Sequence, residues 1–362
     1  MAEITQQLVD QMLDGFQPAF PDHVAGTRPI HTKGIGVIGW FRGSSTARSY
    51  SSAAQFAQDW IPVRVRFSNG NGQPDPDGRR QVRGMAIRFY PNGTIVDDQI
   101  VAKDPEKPLL ETDLLCTSVD TFMIDQPLDL LEMQRAIVPR KVRTPGILAR
   151  IRSLLAMSPI PPEDAEMSTS PNAGILAWQR RYPQAQSFVL SNSLIKPPDS
   201  YARTTYHAIH AFEVVNDAGI HHMVRFSVEP GDGVHSNMPL TDERNEYGAS
   251  LGRDYLQEEL HERLARGRSS FSLRMQVADP WDDSADPTRA WPRNRIRVLM
   301  GTVTLTGIAA DQERFCEKMS FNPGRLLPGM GLSDDPVLRS RIAVYEASQE
   351  RRGADRCPVI HG

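Results

Sequence analysis

One stripe of polar side chains near the end of the chain could hold a metal ion through oxygen. Arg341, Tyr345, Ser348 and Arg352 recur at helical spacing, which places them on one face of a helix. A fixed guanidinium one turn from a phenol favours the ionised phenolate. A phenolate is a hard anionic ligand suited to ferric iron. On this stripe alone, a half-buried tyrosine beside a solvent-facing arginine is the alternative interpretation.

A second group of side chains could carry out proton transfer. Arg28 lies three residues before His31, and Arg66 and Ser68 alternate onto one face of a predicted strand. A histidine whose tautomer is fixed by a serine hydroxyl is a general acid and base that can move a proton between the two oxygens of a peroxide. The two arginines suit carboxylates or phosphates. A surface or structural histidine is the alternative.

The glycines after His31 have the G-x-G-x-x-G spacing of dinucleotide-binding loops, at Gly34, Gly36 and Gly39. That fingerprint needs an apolar strand before it and a helix after it. The preceding "AGTRPIHTK" is too polar for a buried strand, and the following "WFRGSSTARSY" is too rich in Gly and Ser to start a helix. We therefore expect these glycines to let the backbone pass close to something bulky.

The elements that must position these residues are mostly strands. Alternation with period two predicts strands over 63–68, 84–90, 204–215, 221–230, 269–279 and 294–308. The sequence "NDAG" at 216–219 predicts a hairpin turn between two of them. Many antiparallel candidates without regular helices between them indicate a closed or nearly closed barrel.

Helical patterns interrupt and end this series of strands. The pattern becomes helical and is punctuated by prolines over 125–195, as in "LDLLEMQRAIV" and "GILARIRSLLAM". A further helix is predicted over 250–267, and a last one over 336–353, with Pro336 in a favoured first-turn position and Gly353 at the end. The fold class is thus α+β: an antiparallel β-barrel with helical insertions and a C-terminal helix.

The composition excludes several classes of protein. The 362 residues contain 41 Lys and Arg against 44 Asp and Glu, so the net charge of −3 provides no general attraction to nucleic acid. The three cysteines are scattered, which argues against a disulfide framework. The first residues lack the basic and apolar regions of a signal peptide, and the chain has no apolar run long enough to span a bilayer. We expect a cytoplasmic protein.

Five motifs together resemble the haem catalases, in the order found in that family. They are "RPIHTKG" (28–34), "VRFS" (65–68), "RGMA" (83–86), "IHAFEVVNDAG" (209–219) and "FNPGRLLPGMGLSDDPVLRSRIAVY" (321–345). The resemblance runs from about residue 20 to 353. It implies a catalase-like barrel followed by a haem-ligating C-terminal helix. It also implies haem b as the cofactor and a peroxide as the substrate.

By this resemblance, each candidate residue receives a role. His31 is similar to the distal acid and base, Ser68 to its orienting partner, and Tyr345 to the proximal iron ligand with Arg341 as its charge partner. The positions similar to those that hold the haem propionates are Arg28, Arg66 and Arg352. The positions similar to a proximal relay toward Arg341 are His210 and Asp335.

Two departures from the family pattern bear on the activity. Gln81 replaces an aspartate in the motif Arg-Asp-x-Arg-Gly, and Thr117 stands where the family has a distal asparagine that helps bind peroxide. With both expected in the pocket, rapid dismutation of peroxide is disfavoured. The chain also lacks a counterpart of the family's C-terminal helical extension, which favours the minimal catalase-related peroxidases.

The sequence therefore predicts a single catalase-like haem domain over 1–362. It comprises an N-terminal arm (1–27), a barrel (28–310) with a helical insertion (about 125–195), and a proximal helix (333–353). We expect a peroxidase with weaker catalase activity, an unidentified electron donor and a homo-oligomeric state. One alternative is a fatty-acid hydroperoxide-rearranging enzyme similar to allene oxide synthases, which have a threonine where this chain has Ile30. Another is a non-catalytic haem-binding protein.

Overall fold

A computed structural model of the chain describes residues 5–138, 142–145, 165–168, 173–186, 188, 195–231 and 252–353. Its strands are β1 (Gly34–Gly43), β2 (Trp60–Asn69), β3 (Arg83–Phe89), β4 (Gly93–Val96), β5 (Gln99–Ala102), β6 (Thr112–Thr117), β7 (Val142–Pro145), β8 (Ala165–Ser168), β9 (Tyr206–His207), β10 (Phe212–Val215), β11 (His221–Pro230), β12 (Ser269–Val277), β13 (Arg297–Ile308) and β14 (Met330–Leu332). Its α-helices are α1 (Gln6–Asp14), α2 (Asp129–Ile137), α3 (Ala173–Gln179), α4 (Tyr255–Arg266) and α5 (Pro336–Arg351).

Among the described strands, eight close into an antiparallel barrel. Their order is β12, β13, β1, β2, β3, β6, β9 and β11, and β11 pairs back onto β12. Strands β10 and β14 extend the sheet beyond β11. Closure leaves the barrel without a free edge along these eight strands. The α+β class and the antiparallel barrel predicted from the alternation are confirmed.

Strand β2 shows how the barrel separates its core from a polar layer. Val63, Val65 and Phe67 are almost completely buried in the main apolar cluster. Arg66 and Ser68 alternate with them onto the opposite face, yet they are also buried. The polar face of β2 is thus covered by protein instead of water, and its charged groups must find partners there.

The prediction of one continuous strand over 204–215 is wrong. This segment forms β9 and β10, and His210 lies in the break between them. The nitrogen of Ala208 still donates to the carbonyl of Phe226 in β11, so the chain stays on the barrel. Because the break suspends the strand alternation, the ring of His210 contacts Asp335 before helix α5.

Helix α5 begins where the sequence predicts. Oδ1 of Asp335 accepts hydrogen bonds from the nitrogens of Val337 and Leu338, at 2.8 and 3.2 Å, and so caps the helix. The helix ends at Arg351, and Gly353 follows with a φ of +59°, which a glycine adopts without strain. The helices predicted from "LDLLEMQRAIV" and within 250–267 are present as α2 and α4, whereas "GILARIRSLLAM" (146–157) lies outside the described residues.

Helix α1 packs against α5. Val9 and Leu13 form a small apolar cluster with Ala347, against which Val344 also packs. Arg351 at the end of α5 pairs with Asp10 and Asp14 of α1, at 2.8 and 2.5 Å. The N-terminal arm expected for 1–27 therefore contains a helix that is held on the C-terminal helix by apolar and ionic contacts.

Candidate active site

A cavity of about 920 Å³ lies between the barrel and helix α5. Its walls come from α1, the segment before β1, strands β2, β3 and β6, and α5. The predicted residues that line it are Arg28, His31, Arg66, Ser68, Thr117, Arg341, Tyr345, Ser348 and Arg352. The two groups of side chains that the sequence separates by some 300 residues thus face one space.

His31 and Ser68 form a hydrogen-bonded pair in this cavity. Nδ1 of His31 lies 3.0 Å from Oγ of Ser68. Burial, followed by the positive charges of Arg66, Arg341 and Arg28, lowers the pKa of His31 to about 3, so the imidazole is neutral at neutral pH. The backbone of His31 has a φ of +57°, which is uncommon for a residue other than glycine.

Two glycines leave space for the side chains of this pair and of Arg66. A Cβ added to Gly84 in β3 would lie 2.6 Å from Oγ of Ser68 and 2.9 Å from Nδ1 of His31. A Cβ at Gly34 in β1 would lie 2.6 Å from the guanidinium carbon of Arg66. Gly34 permits the expected close approach, and the group that approaches its backbone is the guanidinium of Arg66. Gly84 belongs to the quoted motif "RGMA", but the sequence does not reveal which contact it allows.

Four side chains form a continuous hydrogen-bonded series, of which Arg341 and Tyr345 line the cavity while His210 and Asp335 are buried behind them. Oδ2 of Asp335 lies 2.6 Å from Nδ1 of His210, and Nε2 of His210 lies 2.7 Å from Nη1 of Arg341. Nη2 of Arg341 donates to the phenolic oxygen of Tyr345 at 3.0 Å. Asp335 therefore uses one oxygen to cap helix α5 and the other to hold His210.

The series fixes the protonation of His210. A guanidinium has only donors, so Nε2 of His210 accepts from Arg341, and Nδ1 carries the proton that is donated to Asp335. Burial is the largest cause that lowers the pKa of His210 to about 4, against the raising effect of Asp335. The neutral ring keeps a single orientation between a carboxylate and a guanidinium.

Three arginines converge at one end of the site. Arg28 and Arg352 both donate to the carbonyl of Glu317, at 2.9 and 3.1 Å, and Arg66 donates to the carbonyl of Cys316 at 3.0 Å. Burial and the charges of the neighbouring arginines lower the pKa of Arg28, and they lower the pKa of Arg352 to about 10. Within the described residues, the one carboxylate paired with these three guanidiniums is Glu317, which lies 3.8 Å from Arg28. Such a cluster suits an anionic ligand with more than one carboxylate.

The two departures from the family pattern occupy different places. Thr117 at the end of β6 lines the cavity, and its hydroxyl donates to the carbonyl of Val119 at 3.0 Å. Gln81 is buried outside the cavity lining, where its side-chain oxygen accepts from the nitrogen of Asn71 at 2.9 Å. The expectation that Gln81 lies in the pocket is therefore wrong, because its amide is used to hold a loop.

Sequence reasoning missed the apolar walls. Met12, Leu13 and Phe16 from the N-terminal segment line the cavity, as do Phe321 and Met85. The apolar period of α1 is visible in "QQLVDQMLD", but nothing in it indicates that the helix folds back onto residues more than 300 positions away. The cavity is thus apolar over much of its surface, with polar groups at defined points, as cofactor sites usually are.

No helix in the described part of the chain is long and apolar enough to cross a membrane. The same residues contain no group of three or more His, Cys, Asp or Glu side chains that could hold a metal ion. The two described cysteines, Cys116 and Cys316, are buried and unpaired, and burial raises the pKa of both thiols.

Comparisons with known proteins agree with this architecture. The sequence pattern of the Catalase family matches residues 7–102 and 178–358. The chain is 33% identical to a catalase-related peroxidase of Mycolicibacterium paratuberculosis, over 91% of both chains, and 29% identical to one of Synechococcus elongatus, over 95% of this chain and 88% of that one. The chain belongs to the catalase family.

Solved structures show the same fold at lower identity. A fungal catalase superposes with a TM-score of 0.71 at 20% identity, and a bacterial catalase with 0.70 at 20%. Each superposition includes 92% of this chain but only 60% of the fungal catalase chain and 59% of the bacterial one. The chain therefore shares the fold of these catalases over about three fifths of their length.

Proposed function

We propose that the chain is a haem-dependent peroxidase that reduces hydrogen peroxide or organic hydroperoxides, with weaker catalase activity. The observation that carries this proposal is that the His31–Ser68 pair and the Arg341–Tyr345 pair line one cavity. The family and its catalase-related peroxidase members support a peroxide-acting oxidoreductase. The site residues also support one haem domain over 1–362, because α1, the barrel and α5 all contribute walls.

The residues of the cavity fit haem b. Arg28, Arg66 and Arg352 would hold the two propionates of haem b. Among the described residues, these three guanidiniums have one carboxylate partner, Glu317, so their positive charge is in excess. The phenolic oxygen of Tyr345, which accepts from a guanidinium, suits ferric iron. When bound, haem supplies the iron redox chemistry that takes up the oxidising equivalents of the peroxide.

The distal residues would move one proton. With Nδ1–H of His31 donating to Ser68, Nε2 is left as a proton acceptor. The neutral ring would take a proton from one oxygen of the peroxide and give it to the other oxygen, which would leave as water or alcohol. Carboxylates bound to Arg28 and Arg66 would offset part of the positive charge that lowers the pKa of His31.

The proximal residues would orient the iron ligand, Tyr345. Arg341 donates to the oxygen of Tyr345, and His210 and Asp335 fix the orientation of Arg341 from behind. Nη2 of Arg341 is thereby directed at the phenolic oxygen, while Nη1 donates to the neutral His210 ring. Each of these contacts lies in the protein, so the ligand is oriented before the cofactor binds.

Thr117 supports peroxidase activity over dismutation. Its hydroxyl hydrogen is committed to the carbonyl of Val119, so it offers a peroxide an acceptor and no free donor. Ile30, immediately before His31, also lines the cavity, and its apolar side chain gives no support to the hydroperoxide-rearranging alternative. The cytoplasm, a homo-oligomer and an unidentified small electron donor complete the proposal.

Replacement of His31 by alanine tests whether the protein is an enzyme or a haem carrier. We expect His31→Ala to bind haem with unchanged stoichiometry and to lose peroxide turnover by about 100-fold or more, as the loss of a general acid and base implies. The measurements are haem content and the initial rate of peroxide-dependent oxidation of hexacyanoferrate(II). A variant that keeps full turnover would exclude His31 from proton transfer.

A further inference from the structure

A second cavity of about 630 Å³ adjoins the first on the side of the propionate-binding arginines. The two cavities share Leu13, Pro29, Ser348 and Arg352 as lining residues. Arg352 therefore stands in the wall between them. A molecule in the second cavity would lie one side chain away from the carboxylate edge of the bound cofactor.

Of the two arginines that line this second cavity, Arg351 is paired with carboxylates and Arg352 is one of the proposed propionate-binding residues. Arg351 binds Asp14 at 2.5 Å and Asp10 at 2.8 Å. The guanidinium of Arg352 donates to the carbonyls of Ser348 and Glu317, at 3.2 and 3.1 Å. The bonds of Arg352 are to neutral groups, and a propionate of the proposed haem would take its charge. With haem bound, an ionic ligand would meet no free countercharge, so the cavity suits a neutral molecule.

The neutral groups of the cavity combine an apolar wall with hydrogen-bond acceptors. Leu13 and Pro29 provide the apolar wall. Nδ1 of His23 lies 2.7 Å from the carbonyl of Gly72, so it carries the proton and donates it, and Nε2 remains an acceptor. The hydroxyl of Thr27 donates to the carbonyl of Val24 and likewise keeps acceptor capacity.

We propose that the second cavity binds the electron donor, and that this donor is a small neutral phenol. The inference rests on the proposed function and names the substrate class that it lacked. The phenol ring would lie against Leu13 and Pro29, and its hydroxyl would donate to Nε2 of His23. His23 would accept the phenolic proton when the electron leaves.

The reaction is balanced when two phenols are oxidised for each peroxide reduced. Each phenol loses one electron and one proton and becomes a phenoxyl radical. The peroxide O–O bond breaks and takes up two electrons and two protons, so that H2O2 and two ArOH give two H2O and two ArO•. Proton acceptance matters because a phenol is a poor electron donor until its proton can leave at the same time.

A substitution can fill the second cavity without changing the residues that line the first cavity. Ala25 lines the second cavity and is exposed, whereas its neighbour Val24 is exposed and lines neither. We expect Ala25→Trp to raise the KM for 2-methoxyphenol at least tenfold, and Val24→Trp to leave it unchanged. Calorimetric titration of the haem-loaded protein with 2-methoxyphenol, without peroxide, should show the same loss of affinity in Ala25→Trp alone.

The role of His23 has its own test. His23→Asn keeps a side-chain N–H that can donate to the carbonyl of Gly72 but removes the acceptor nitrogen. Hexacyanoferrate(II) gives up an electron without a proton, and it serves as the comparison donor. We expect the ratio of the 2-methoxyphenol rate to the hexacyanoferrate(II) rate to fall at least tenfold in His23→Asn, which a loss of folding or of haem would not produce.

Each outcome decides the proposal separately from the proposed function. Equal KM and affinity for the phenol in Ala25→Trp and Val24→Trp would overturn the donor site. A rise in the KM for peroxide instead of the phenol would also overturn it, by identifying the cavity as the path of peroxide. If the unaltered protein turned over no peroxide, the proposed function would fail, and calorimetry would still decide whether the phenol binds in this cavity.

Discussion

Nη1 of Arg341 lies 2.7 Å from Nε2 of His210, and burial together with this contact keeps the histidine ring neutral. A protonated ring would present a second donor to the guanidinium and a second positive charge beside it. The buried ring is instead polarised between Asp335 and Arg341, which lies on the same helix as Tyr345. The orientation of Tyr345 and the stability of the fold thus depend on one uncharged histidine.

The neutral state of His210 predicts a loss of stability in acid. In the unfolded chain His210 takes up a proton as the pH falls below its ordinary pKa of 6.5, whereas in the folded protein it stays neutral down to about 4. The unfolded state binds more protons in this window, so the free energy of unfolding decreases by about 1.4 kcal/mol per pH unit and by about 3 kcal/mol in total.

Urea unfolding at pH 7, 6 and 5 measures this contribution. Asparagine does not titrate and can make the same two hydrogen bonds. As the pH falls, the free energy of unfolding of His210→Asn should therefore decrease less steeply than that of the unaltered protein, by the slope that corresponds to about one bound proton. The matched control is His261→Asn on the exposed face of α4, which should follow the unaltered protein. Identical pH slopes for His210→Asn and the unaltered protein would show that the ring does not carry this effect.

Gly84 controls the geometry of the distal pair. The Cβ of alanine at this position would lie 2.6 Å from Oγ of Ser68, so the serine and His31 must shift. A misplacement of about 1 Å typically costs about 100-fold in rate, and we expect Gly84→Ala to lose peroxide turnover on that scale with its haem content retained. Gly307→Ala is the control, since among the described residues the nearest contact of its Cβ would be Ile38, at 4.0 Å. An equal effect of both variants would mean that crowding at the pair is not the cause.

We expect Thr117 to influence the balance between peroxidase and catalase activity. An asparagine amide at this position would offer the peroxide an N–H donor that the threonine hydroxyl does not provide. One hydrogen bond to a bound group is worth about a factor of ten, so Thr117→Asn should raise oxygen evolution from peroxide by about tenfold. Thr306 also donates to a backbone carbonyl but lies outside the cavity, and Thr306→Asn should not change oxygen evolution. No gain in Thr117→Asn would show that another residue limits dismutation.

Much of the site follows from local sequence pattern. The stripe of Arg341, Tyr345, Ser348 and Arg352 could be predicted because the helical period alone puts residues four and three positions apart on one face. The antiparallel barrel follows from the alternation of its strands in the same way. In contrast, His31 and Ser68 are 37 positions apart. No local period relates them, so their pairing could be predicted only from the motif resemblance.

The remaining features depend on contacts between distant segments. The break around His210 could not be predicted, because alternation continues through "TTYHAIHAFEVV" and only the contact with Asp335, 125 residues away, reveals it. The carbonyls of Cys316 and Glu317 that hold the arginines carry no side-chain signal at all. The cavity walls from α1 depend on a helix that packs against the opposite end of the chain.

The proposal that Tyr345 ligates haem iron is the central claim, and the optical spectrum of the ferric, haem-loaded protein tests it most directly. We expect a high-spin spectrum with a phenolate-to-iron charge-transfer contribution that disappears in Tyr345→Phe. An unchanged spectrum in that variant, or a protein that binds no haem, would contradict the account.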